Sequence, residues 1–308
     1  VSAAKFFCCA RSLMAGSRGM ALTTPTGTAG FRRYVRCVTD PRADDEHHLA
    51  ELTVEVDQLL RTRRFLDSWQ SSTWASDAAP VVDALAEQAV AAPSAELVLL
   101  LQRAATHLVK VILRADDSNG EIGGLCRDVL ELHRLACTTG VADPQKLATW
   151  MVRYTFEDQD FFMLDPVEYL DALGEKGLAT YRREVAKRSA RDEDAERSAF
   201  DREYYGDFPS YAAKYAAERL AIIDRDVDRL VELLGGDLSA PHQYLRVAEA
   251  MVELGQPEDA LRWARRGIAD TSGWQVSKLY DLVAGLVVAD PCEVVEVRRQ
   301  HHERMPSA

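Results

Sequence analysis

Residues 239–273, SAPHQYLRVAEAMVELGQPEDALRWARRGIADTSG, decide the fold. Tyr244, Val247, Ala248, Met251 and Val252 recur at the i, i+3, i+4, i+7 spacing that gives a helix one apolar stripe. Gly255 then supplies a residue that takes the left-handed conformation at a helix end. Pro257 suits the first turn of the next helix, where an N–H would have no acceptor. Ala248, Ala260 and Gly267 are small where two packed helices must approach closely. The stretch therefore reads as two antiparallel helices, a packing unit rather than a catalytic one.

Working outward, the spacing resembles a tetratricopeptide repeat. A shift of about 34 residues places Leu282 beneath Ala248, and Val294 and Val295 beneath Ala260 and Leu261, with Asp290-Pro291 as the break. His301 then stands in place of Gly267, as in the atypical last repeat of a solenoid. Upstream, apolar periodicity predicts helices over 47–66 with Asp44 or Asp45 as cap, 81–90 after Pro80, 97–113, 122–138 and 145–154. An acidic, aromatic loop follows at 157–165, then helices over 166–174, 176–188 and 211–234. Helices over 243–253, 258–269, 276–288 and 292–304 complete the series. No alternating strand pattern occurs. The expected fold is all-α, a right-handed α-solenoid of antiparallel helix pairs, tetratricopeptide-like in its C-terminal part. Residues 1–40, rich in turn formers without hydrophobic period, read as a flexible leader. Residues 41–190 form an N-terminal helical array, 191–208 a charged connector, and 209–308 the repeats.

Hydrophobic residues make up 47% of the 308 and charged ones 28%, a globular balance with no apolar run long enough to span a bilayer. The formal charge is −12, but residues 1–42 hold seven Lys or Arg against Asp40 alone, which leaves −18 for residues 43–308. Such a body repels nucleic acid and favours basic partners. Six cysteines, at 8, 9, 37, 126, 137 and 292, have no C-x-x-C spacing and fit a reducing cytoplasm.

Several stretches, ADPQKLATWM (142–151), DALGEKGLATYRREV (171–185), RRFLDSWQSSTWASDAAPVVDAL (63–85), RADDSNGEIGGL (114–125) and the lead into the repeat from Ser239 to Glu249, together give a resemblance. They are similar to the helical region that follows the finger in bacterial SWIM zinc-finger proteins, over roughly residues 50–300. The finger's Cys-x-Cys and Cys-x-His are missing: Cys8 and Cys9 are adjacent, and Cys37 has no histidine two residues on. The resemblance therefore implies a helical accessory region, with no zinc ligand carried over.

Four groups of polar residues have catalytic or ligand-binding types. Asp117-x-Asn119-Gly120-Glu121 imitates the middle of an EF-hand loop, but Ala115 and Cys126 stand where its strongest oxygen ligands belong, so a helix-connecting turn is expected. Glu157, Asp158, Asp160 and Asp165 lie among Tyr154, Phe156, Phe161 and Phe162 without a His, Lys or Ser partner in sequence, which suits an anchored loop better than an acid/base pair. His47, His48 and Glu51, like His301, His302 and Glu303, lack a third ligand and read as helix-surface residues. Arg61, Arg63 and Arg64 beside Phe65, Trp69 and Trp74 have the types used by single-strand binders, but the acidic body favours arginine stems packed along aromatics that fill an inter-helix groove. No phosphate loop, dinucleotide fingerprint or nucleophile elbow occurs.

The reading is a non-enzymatic helical-repeat scaffold for protein or peptide binding, without cofactor or metal. The alternative is the helical accessory region of a SWIM-type zinc-finger, nucleic-acid- or zinc-linked protein whose finger is absent from this chain. If Tyr244, Ala248 and Met251 are packed, His242, Leu245, Glu249, Val252 and Glu253 line a concave groove. Its paired carboxylates, one turn apart, suit a basic protein or peptide segment.

Overall fold

A computed structural model describes residues 41–159, 161–194 and 211–304. The leader at 1–40 and most of the charged connector lie outside the described residues. Twelve α-helices are described: α1 (Pro41–Leu59), α2 (Ser68–Ala91), α3 (Ala95–Ile112), α4 (Glu121–Thr138), α5 (Pro144–Arg153), α6 (Leu170–Asp194), α7 (Tyr211–Asp224), α8 (Val227–Gly235), α9 (Pro241–Glu253), α10 (Pro257–Asp270), α11 (Val276–Leu286) and α12 (Pro291–Arg304). The only non-helical pairing among the described residues is an isolated bridge, Leu66 to Ala115. The protein is all-α. No described helix is long and apolar enough to cross a membrane.

Short polar side chains start half of the described helices. Asp67 and Gln70 form a reciprocal capping box at α2, at 2.9 and 3.3 Å. Ser94 caps α3 through Leu97 N, and Asp143 caps α5 through Gln145 N and Lys146 N. Asp117 reaches past Gly120 to accept from Ile122 N and Gly123 N at 3.0 and 2.8 Å, so the EF-hand imitation is a helix cap.

Several boundaries differ from the sequence reading. The helices expected over 166–174 and 176–188 are joined as α6, which starts only at Leu170, bends at Gly174 (φ 52°) and runs to Asp194 into the expected connector. Helix α1 begins at Pro41, so Asp44 and Asp45 are inside it, and it stops at Leu59 because the next residues turn to lie along α3. Pro80 does not start a helix. It lies in the middle of α2, since the apolar stripe Ala75, Ala78, Val81, Val82, Leu85 runs through it in phase. Pro80 and Ser76 are both exposed, so water can satisfy the Ser76 carbonyl that proline leaves unpaired. The expected loop at 157–165 begins inside a π-helical turn, Tyr154–Asp158. Finally, the helix expected over 211–234 is two helices. Arg225 takes φ 55°, with Asp226 N bonded to Ala221 O and Arg225 N to Ile222 O, the geometry that usually selects glycine. Its guanidinium donates to Leu254 O at 2.7 Å, which ties this bend to the end of α9.

From Pro41 onward the chain forms one compact unit. Its first apolar cluster runs from Leu52 on α1 through α2 to α6 and ends with Ala216 on α7. A second joins α7, α8 and α9 around Leu230, Leu234 and Met251, and a third joins α9 to α12 around Tyr244, Leu279 and Val283. Successive helices pack on one another from α7 to α12, and α9 also packs on α11.

The pair α9–α10 forms where its spacing predicts, except that Val252, read as part of the apolar stripe, is exposed. Gly255, φ 71°, closes α9, and Tyr244, Ala248, Met251 and Ala260 are buried. At Gly267 a Cβ would sit 2.6 Å from the Cβ of Tyr244 and 2.8 Å from Leu279, so only glycine fits. Gly285 on α11 has open space around it. Gly267→Ala is therefore expected to destabilise by about 1–3 kcal/mol through overpacking. Gly285→Ala should stabilise by about 0.5 kcal/mol by restricting the unfolded chain. Denaturant unfolding of the two variants checks the opposite signs.

Candidate functional site

The expected groove divides. His242, Glu249 and Val252 are exposed on α9, whereas Leu245 is half-buried and packs on the cluster around Tyr244 and Leu279. Glu253 is exposed as well, but its carboxylate is paired with the buried Arg219. A shallow cavity of about 190 Å³ is lined by Glu218, Arg246, Glu249, Ala250 and Glu253, which brings the two predicted carboxylates together and leaves His242, Leu245 and Val252 outside it. Its electrostatics differ from the sequence reading, because Arg246 donates to Glu218 at 2.8 Å and Arg219 binds Glu253. Glu249 is the carboxylate of this wall without an ion-pair partner among the described residues.

Arg219, on α7, is the buried centre of that arrangement, 7% exposed. Its Nε donates to Asp165 at 2.9 Å and its Nη1 to Glu253 at 2.9 Å, while Nη2 reaches both carboxylates. Burial disfavours the cation, yet the hydrogen bonds to Glu253 and Asp165 outweigh it and hold the guanidinium charged. Asp165, one of the acidic residues considered for acid/base work, is thus committed to a structural pair. The side chains of Glu157, Asp158 and Asp160 lie outside the described residues.

A second cavity, about 530 Å³, opens between the end of α1 and the end of α3. The bridge builds it: Leu66 N bonds to Arg114 O at 2.9 Å and Asp116 N to Leu66 O at 2.8 Å, which straps the α1–α2 connector along α3. Arg61, Thr62 and Arg63 of the connector thereby face His107 and Lys110 of α3 and Arg114 just past its end, over Val111. His107 Nε2 bonds to Asp57 at 3.0 Å, and Arg103 holds the other oxygen of Asp57 at 3.1 Å. Burial lowers the pKa of His107, and the nearby Arg61 and Lys110 lower it further against the pull of Asp57. The imidazole is therefore neutral, with Nε2–H donating to Asp57, whose own pKa that bond holds down.

Sequence reasoning found Arg61 and Arg63 but missed Lys110 and Arg114. The signal was present as a basic stripe, His107, Lys110, Arg114, at helical spacing. The aromatic neighbours also differ from expectation: Trp74 is partly buried in the core, but Phe65 and Trp69 are 69% and 82% exposed and fill no groove.

Two further histidines make defined contacts. His47 pairs with Glu51 at 3.3 Å on the exposed face of α1, and His301 stacks on Tyr280 with centroids 4.9 Å apart. Among the described residues no group of three or more His, Cys, Asp or Glu could hold a metal ion. Cys8, Cys9 and Cys37 lie outside the described residues.

Residues 19–285 match the model of DUF6880, a family of unknown function. The chain belongs to this family. No curated protein and no solved structure matches it.

One polar group of this DUF6880 chain is fully enclosed. His133, on α4, is completely buried and packs on Trp150 with centroids 4.4 Å apart. Gln102 Nε2 donates to its Nε2 at 3.1 Å, so Nδ1–H donates to the Tyr169 hydroxyl at 2.9 Å, which donates to Leu130 O. Burial lowers its pKa to about 3. The folded protein keeps this imidazole neutral, whereas the unfolded chain protonates it near the ordinary value of 6.5. Its contribution is complete above pH 6.5 and is lost as pH falls toward 3. Between pH 6 and 4 wild-type stability should fall about 1.4 kcal/mol per pH unit more steeply than that of His133→Gln, as measured by urea unfolding.

Proposed function

We propose that this protein is a non-enzymatic helical-repeat scaffold, tetratricopeptide-like in α9–α12, that holds a basic segment of a protein partner against the α7–α9 face. The observation that carries the reading is the side-chain-free contact at Gly267 beneath Tyr244, between two helices joined by Gly255 and Pro257. It is the close approach that a stacked helix-pair unit requires. The packing of α9 on α11, one pair along, supports the same reading. In this proposal the pairs continue as a right-handed solenoid, working in the cytoplasm.

Ligand polarity rests on the shallow cavity beside Glu249. Arg246 and Arg219 offset Glu218 and Glu253, so Glu249 supplies the free negative charge, and the exposed Val252 and His242 flank it on the same helix. A lysine or arginine of an extended segment fits such a wall, with the −18 charge of residues 43–308 drawing it in.

A photo-crosslinking residue placed at Val252 tests this, with one at Val90, which is 86% exposed on α2, as control. Position 252 is expected to yield discrete adducts that map to Lys/Arg-rich segments and diminish several-fold in Glu249→Lys. The same adducts from both positions, or adducts indifferent to Glu249→Lys, would contradict the proposal.

A further inference from the structure

We infer that the cleft between the α1–α2 connector and the end of α3 is a binding site for a small ligand carrying two or more phosphate groups, held by Arg61, Arg63, Lys110 and Arg114. This site is separate from the α7–α9 face and does not depend on the scaffold reading.

Carboxylates outnumber Lys and Arg in this chain by 49 to 37, so a counterion is at hand for nearly any arginine. Arg103, Arg134, Arg182, Arg219, Arg246 and Arg265 each hold one. The four cations of the cleft have no carboxylate partner among the described residues, and no carboxylate lines the cavity. Asp57, which touches the wall through His107, is already neutralised by Arg103. An acidic chain thus concentrates four unpaired cations in one concavity against their mutual repulsion, an arrangement that an external anion completes.

A bland cause explains only half of it. Lys110 sits in the last turn of α3 and Arg114 two residues past its end, where cations complement the helix dipole. Arg61 and Arg63 do not belong to that helix. The connector carries them to it, and the two backbone hydrogen bonds at Leu66 set their register. Arg114 Nη1 also donates to Thr62 O at 3.4 Å, which fixes the connector against α3 from the side-chain level. The cations are therefore brought together from two elements by a defined fold feature.

Size and chemistry select the ligand class. At about 530 Å³ the cleft has the volume of a small-molecule site, within the usual range of about 300–1,000 Å³. A single phosphate is too small to reach opposite walls, whereas a chain of phosphates can meet both. Guanidinium groups match phosphate oxygens two at a time, and Lys110 adds a compact charge. Thr62 contributes a hydroxyl, and Val111 an apolar floor.

Calorimetric titration of the full chain with inorganic tripolyphosphate near physiological salt tests the inference. Saturable one-to-one binding is expected, weakened about tenfold or more in Arg63→Glu/Lys110→Glu. It should be unchanged in Arg229→Glu, an exposed arginine on α8 that removes the same kind of charge elsewhere. Both cleft residues are exposed, and unchanged helix content by circular dichroism certifies the fold of the double variant. A parallel titration with adenosine triphosphate distinguishes the source: tighter binding points to a nucleotide, equal binding to the phosphate chain alone. No saturable binding by the wild type, or equal loss in Arg229→Glu, overturns the inference. So does binding of a single-stranded oligonucleotide without binding of tripolyphosphate.

Discussion

Arg219 is the buried charge on which the arrangement of the two halves depends. It projects from α7 and donates at once to Asp165, in the segment before α6, and to Glu253, at the last turn of α9. Apolar packing across this junction is modest: Ala216 and Leu220 close one cluster, Ala221 and Ile222 open the next. A guanidinium shared by two carboxylates supplies direction where apolar contact supplies only area. Its partners must both be present, since a buried cation left with one of them loses much of what offsets its desolvation. Glu253, though exposed, is consequently committed to Arg219, and the α9 surface keeps Glu249 as its free carboxylate.

Charge is distributed unevenly in consequence. Arginines near α6 to α12 are mostly spent on carboxylates of neighbouring helices, as in Arg182 with Asp224 and Arg246 with Glu218. The cleft beside α3 is the exception, and it is made by backbone pairing at Leu66 rather than by ion pairs. The same protein therefore presents a mildly acidic face on α9 and a strongly basic concavity between the α1–α2 connector and the end of α3.

Local chemistry was legible in the sequence where one residue type has one conformational consequence. Asp143-Pro144 announced α5, and Gly255 announced the end of α9, because a capping carboxylate and a left-handed glycine act within a turn of themselves. Arg225 closes α7 with the same backbone bonds as Gly255 closes α9, yet no pattern marked it. Its positive φ is secured by a bond to Leu254, 29 residues away. Pro80 misled for the converse reason: the local penalty was real, and burial of the stripe from Ala75 to Leu85 overrode it. The candidate sites follow this division. Glu249 and Glu253 share a helix face and were read together, but the fate of Glu253 lay with Arg219 on another helix. The basic cleft joins residues some fifty positions apart, and nothing local links Arg61 to Lys110.

The central structural claim is that Arg219 couples the helices before it to those after it. Native-state amide exchange on the wild type and on Arg219→Met, which keeps much of the side chain's length but not its charge, tests it most directly. The account predicts that the substitution lowers protection in α9 to α11 by about tenfold or more while α3 and α4 retain theirs, because the clamp acts on docking of the C-terminal helices. Equal change in both regions, or none in either, would contradict it.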